Sequence, residues 1–100
     1  IFDRDNKFSG ITIWKDLSGY EIKLHTDNPT IDIAMQIYLT GDINANAGTT
    51  FIINNNHIQL PYQKNSGYLM DNRAKIEHYM AGTIPDNHVR YSLYAFWSKK

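Results

Sequence analysis

The side chains best able to do chemistry in this chain are four histidines, His25, His57, His78 and His88, together with two glutamates, Glu21 and Glu77. Three histidines could in principle converge on a metal ion, but no ligand-pair spacing supports that arrangement. They read instead as isolated polar or half-buried residues, so neither a metal site nor a cofactor is expected. Nothing around the two glutamates suggests the paired carboxylates of a glycoside hydrolase. The stretch Asp3-Arg4-Asp5-Asn6-Lys7 resembles the start of a calcium loop but lacks its glycine and its distal glutamate, and it reads as solvated terminal charge. A Gly-rich phosphate loop, a Gly-x-Ser-x-Gly elbow and a His-Glu-x-x-His helix are all absent from the sequence. No catalytic residue is assigned, and the chain is expected not to be an enzyme.

Aromatic residues carry the more visible signal. Trp14, Tyr20, Tyr38, Tyr62, Tyr68, Tyr79, Tyr91, Tyr94, Phe96 and Trp97 are too many for one face of a small core. Core packing and cross-strand pairing account for about half of them. For the others two uses are open. Trp14, Tyr62 and Tyr68, with Asp71, Asn72 and Arg73, offer the ring faces and polar groups that bind a saccharide. Tyr91, Tyr94, Phe96 and Trp97 offer an oligomer interface, where such residues are enriched.

The elements that must position these residues are strands. Between residues 31 and 40, Ile31, Ile33, Met35, Ile37 and Leu39 alternate with Asp32, Ala34, Gln36, Tyr38 and Thr40, which places one face on the core. Residues 88–97 alternate in the same way but are apolar on both faces, as in a central strand or one buried against a second chain. Shorter strands are predicted over residues 8–14, 20–25, 49–53 and 57–62. Asn54-Asn55-Asn56 forms a hairpin tip, and loops fall at Asn28-Pro29, at residues 41–48 and at Pro85-Asp86-Asn87. Residues 71–82 begin like a capped helix and end in glycine, yet Ala74, Ile76, His78 and Met80 also share one face of a strand, and the strand is preferred. The fold class expected is all-β, an antiparallel sandwich of about seven or eight strands, jelly-roll-like or a small barrel.

At 100 residues the chain fits one domain, and its 42% hydrophobic content suffices for a core. Ten acidic and ten basic side chains cancel, without the basic stripe of a nucleic-acid binder. The absence of cysteine removes disulfides and thiolate chemistry. No apolar run approaches the roughly 20 residues of a membrane helix, so no membrane insertion is expected. Starting at Ile1, residues 1–100 read as one domain cut from a longer polypeptide, as its C-terminal part.

The run Gln36-Ile37-Tyr38-Leu39-Thr40-Gly41-Asp42-Ile43, followed by Ala47-Gly48-Thr49-Thr50-Phe51 and Ile58-Gln59-Leu60-Pro61, resembles the C-terminal β domains of bacteriophage tail-fibre and baseplate proteins of phages that infect Gram-positive hosts. After Leu60-Pro61 the arginine-proline usual in such domains is replaced by Tyr62-Gln63-Lys64-Asn65. The resemblance implies a homotrimeric virion component of the tail or baseplate. It would either attach to host cell-wall saccharide or dock the receptor-binding subunit among other baseplate proteins. The alternative is a carbohydrate-binding module of a secreted hydrolase, which would be monomeric. A small glycosidase using Glu77 is a remote further option.

Overall fold

The computed structural model describes residues 1–41 and 46–100. The loop expected over residues 41–48, and the Asp42-Ile43 end of the tail-fibre resemblance, lie partly outside the described residues. Among those described, seven strands form: β1 (Asn6–Asp16), β2 (Ile31–Tyr38), β3 (Thr49–Ile53), β4 (Asn56–Gln59), β5 (Gly67–Asp71), β6 (Glu77–Met80) and β7 (Arg90–Lys99). One sheet has the order β1-β7-β2-β5 and the other β4-β3-β6, and every pairing is antiparallel. The fold is an all-β sandwich, as the alternation predicts.

Residues 20–25, expected as a strand, run beside β6 as a looser fourth member of the smaller sheet. Ile84 N–H donates to the Tyr20 carbonyl at 2.9 Å and Met80 N–H to the Ile22 carbonyl at 2.9 Å. His25 and His78 then exchange both backbone hydrogen bonds, at 3.0 and 2.9 Å.

Local sequence explains the turns. Asn54 and Asn55 take positive φ, 51° and 65°, which asparagine tolerates, and they close the β3–β4 hairpin. Residues 71–82 combine both readings of their sequence. The Asp71 carboxylate accepts from Arg73 N–H at 3.1 Å and caps a single 3₁₀ turn, Asn72–Ala74. Lys75 then enters the left-handed region at φ 52° and ends that turn before β6 begins. Strand β5 is not foreseen, because Gly67-Tyr68-Leu69-Met70-Asp71 is too short to show a period.

The orientation of β2 differs from the expectation. Ala34 joins Phe51 and Met70 in one buried cluster, and Tyr38 joins Ala47, Tyr62, Met80 and Ile84 in another, so these side chains face the second sheet. Of the aliphatic row, Met35 and Ile37 are on the outer side, where Ile37 lies level with Leu93 and Ile13, and Met35 with Ala95, Ile11 and Leu69. Ile11, Ile13 and Leu69 remain exposed there. Across a register shift, Ile31 packs against the Ala34 cluster, and Ile33 is fully buried. The inner face carries Gln36 and Tyr38 because the space between the sheets is not a uniform apolar core. It holds a partly polar cavity.

Candidate active site

The backbone exchange between His25 and His78 makes them directly opposed residues, so their side chains emerge on the same side of the sheet. The two rings lie 4.4 Å apart between centroids. Asp27, two residues beyond His25 in an extended segment, returns to that side. Its Oδ1 is 3.4 Å from His25 Nε2 and 3.2 Å from His78 Nε2. The three groups can each offer one ligand atom, all within 4.8 Å of one another.

Each imidazole is oriented by its other nitrogen. His25 Nδ1 is 2.7 Å from the Lys23 carbonyl and His78 Nδ1 is 3.0 Å from the Ile76 carbonyl. A carbonyl only accepts, so both Nδ1 atoms carry the proton, and both Nε2 lone pairs are available when the rings are neutral. This is the outer-shell support usual for metal-binding histidine. Adjacent ligands on an ion at about 2.1 Å stand roughly 3 Å apart, close to the separations around Asp27 Oδ1. Two imidazoles and one carboxylate on one side of an ion leave its remaining positions open, the arrangement of non-haem iron(II) oxygenases. These residues therefore fit a catalytic divalent metal.

Electrostatics tie the cluster together. Burial alone would raise the Asp27 carboxyl. The His78 hydrogen bond and charge, the His25 charge and the Tyr94 hydroxyl outweigh it and bring the carboxyl below its ordinary value. Burial likewise opposes the His78 imidazolium, but the hydrogen bonds to Asp27 and to Ile76 and the Asp27 charge raise its pKa. Tyr94 donates to Asp27 Oδ2 at 3.4 Å. Burial, then the Asp27 charge, pushes the Tyr94 phenol up, so it remains a donor.

From this cluster a cavity of about 250 Å³ runs between the sheets to Arg90. Arg90, Ser92 and Tyr94 alternate along β7 and all line it. Arg90 is 1% exposed and Asp16, its cross-strand neighbour on β1, is 9% exposed. Asp16 Oδ2 accepts from Arg90 Nε at 3.0 Å and from Nη2 at 2.8 Å. Arg90 Nη1 donates to the Ala47 carbonyl and lies 3.3 Å from Met80 Sδ. Nearby, Gln36 Nε2 donates to Ser92 Oγ at 3.0 Å, so the serine hydroxyl keeps its own proton to give. Trp14 and Tyr20, both about half exposed, also line the cavity.

The residues singled out from the sequence are dispersed. Trp14 and Tyr68 line the cavity. Tyr62 is buried, packs edge-on against Tyr38 and bonds Thr40 at 2.7 Å and His88 at 3.0 Å. Asn72 is buried and donates to the carbonyls of Asn28 and Ile31. Arg73 pairs with Asp71 and reaches Asp3 and the Ile1 carbonyl. On β7, Tyr94 faces the cavity and Phe96 lies over Gly10, where a Cβ would come within 2.6 Å of its ring. Trp97 packs on Phe2 and Phe8, and Tyr91 is partly exposed.

His25 and His78 were considered from the sequence as metal ligands and set aside, while Asp27, Asp16, Arg90 and Ser92 were not singled out. The available signals were His25-Thr26-Asp27, which shares one side only if the segment is extended, and a charged residue heading an otherwise aromatic strand. His25 and His78 are not isolated, as the sequence suggested.

No protein-family model and no curated protein matches the chain. Among solved structures, it is similar to an oxidoreductase of the 2OG-Fe(II) oxygenase family from Burkholderia pseudomallei, with a TM-score of 0.78 and 16% identity. The similarity covers 98% of this chain and 48% of that one, so the chain spans about half of that protein's length. The shared fold and the His-Asp-His cluster overturn the expectation of a phage tail or baseplate structural domain, or of an appended carbohydrate-binding module, and with it the expectation of a non-enzyme.

Proposed function

We propose that this chain is the catalytic core of a non-haem iron(II) oxygenase that uses 2-oxoglutarate as co-substrate. The observation that carries the reading is the placement of a two-histidine, one-carboxylate cluster at one end of a cavity whose other end holds a buried arginine. His25, Asp27 and His78 would hold the metal. Iron(II) bound there would supply activation of dioxygen, coupled to oxidative decarboxylation of the 2-oxo acid and oxidation of a second substrate.

The chain's own residues do the positioning. The Lys23 and Ile76 carbonyls keep the two Nε2 lone pairs turned to the ion, and Tyr94 restrains the free oxygen of Asp27. Arg90 and the Ser92 hydroxyl are the donors for a carboxylate at the far end of the cavity. At about 250 Å³ the space is below the roughly 300–1,000 Å³ of drug-sized sites, which suits a small dicarboxylate. Trp14 and Tyr20, which are half exposed, line the same cavity.

Anaerobic titration with iron(II) and then 2-oxoglutarate tests this. One equivalent of metal and a visible charge-transfer band on adding the 2-oxo acid are expected. A folded chain that binds no metal overturns the proposal. Metal uptake without any response to 2-oxoglutarate overturns the co-substrate half.

A further inference from the structure

The carboxylate-binding end of the cavity is already engaged by a carboxylate of the chain itself. Asp16 closes β1 and stands directly across from Arg90, which opens β7. A single oxygen of Asp16, Oδ2, takes the hydrogen bonds of both Nε and Nη2, while its Oδ1 accepts none among the described residues. Arg90 Nη1 is committed to the Ala47 carbonyl and the Met80 sulfur. Of the five guanidinium N–H groups, one on Nη2 is left without an acceptor among the described residues.

That geometry has two consequences. A guanidinium this deeply buried needs a counter-charge in the absence of ligand, and Asp16 supplies it. A ligand carboxylate arriving at the remaining Nη2 N–H and at Ser92 would then sit beside a like charge. With a divalent ion on the His-Asp-His cluster, the cavity carries one net positive charge, one fewer than a dicarboxylate brings. Replacing Asp16 by a neutral residue makes the two equal.

We infer that Asp16 is an internal stand-in for the ligand carboxylate, a positioning residue that keeps Arg90 folded in place while weakening the grip on dicarboxylates. The inference rests on the co-substrate reading above. Succinate, the product of 2-oxoglutarate decarboxylation, carries the same terminal carboxylate, so the attenuation applies to it as well and favours its departure.

The test is Asp16→Asn, with Asp16→Ser as a second variant, in the full chain loaded with cobalt(II). Calorimetric titration with 2-oxoglutarate and with succinate should show both binding about tenfold or more tightly to the variants than to the wild type. Thermal melts should show the reverse without ligand, with variants less stable, and a larger rise in Tm on adding excess 2-oxoglutarate. A merely structural role for Asp16 would lower stability and affinity together. Unchanged or weaker binding in both variants, or a ligand-induced rise in Tm no greater than that of the wild type, overturns the inference. If wild type and variants all take up cobalt(II) and none binds 2-oxoglutarate, the co-substrate reading itself has failed.

Discussion

The two ends of the cavity each hold one carboxylate, and the two are used in opposite ways. At the histidine end Asp27 faces imidazoles, whose Nε2 lone pairs can serve a cation. At the arginine end Asp16 faces a guanidinium, which offers only N–H donors. The first cluster can offer its lone pairs to a metal cation, and the second can only exchange one anion for another. One residue type serves both ends because its partner, rather than its own chemistry, decides what may enter.

The contrast can be broken most forcefully at the arginine end. Arg90→Met leaves Asp16 buried without its partner and should cost about 3–5 kcal/mol of stability in urea denaturation. The double variant with Asp16→Leu should recover most of that, since a buried ion pair replaced by apolar groups of similar volume is often neutral. A single variant as stable as the wild type would show that the pair does not hold the sheets as described. At the histidine end, Asp27→Ala removes the central ligand, and cobalt(II) affinity should fall about 100-fold or more, equivalent to about 2.8 kcal/mol. Little change in that titration would dissolve the cluster as a metal site.

The smallest effect sharpens the comparison through pH. The Asp27 carboxyl is lowered in the folded chain, so its contribution to stability is present above its unfolded value of about 3.8 and lost as pH falls through the folded one. The His78 imidazole is raised, so its contribution is present below about 6.5 and lost as pH rises through the folded value. The metal-free chain should therefore gain most from this pair between about pH 4 and 6.5, by about 1.5 kcal/mol, the lower range for a hydrogen bond to a charged group. His78→Gln should erase that window in denaturation measured across pH. Protons compete with the metal for His78, so cobalt(II) affinity should fall as pH drops.

Much of the architecture was legible in the sequence. The alternation in β2 and β7 announced strands, and the run of asparagines announced the turn at Asn54 and Asn55. Facing was not legible, because an aliphatic row is ordinarily placed inside. Here Gln36 and Tyr38 take the inner side, around a polar cavity, and Met35 and Ile37 stand outside. The site itself was hidden for a different reason. Its ligands meet through the pairing of residues 20–25 with β6, and the alternation that puts His78 on one face of β6 does not reveal that His25 lies opposite. Arg90 and Asp16 are likewise joined only by the register of two strands at opposite ends of the chain.

The bridge between His25 and His78 also bears on how the chain comes to be folded. An ion gripped by residues 25, 27 and 78 would tether points more than half the sequence apart, closing a loop that otherwise must be closed by strand pairing alone. In the unfolded polypeptide those three groups are scattered and offer no common grip, so the ion would act as a removable staple, favouring the completed sandwich and leaving partly assembled chains without it.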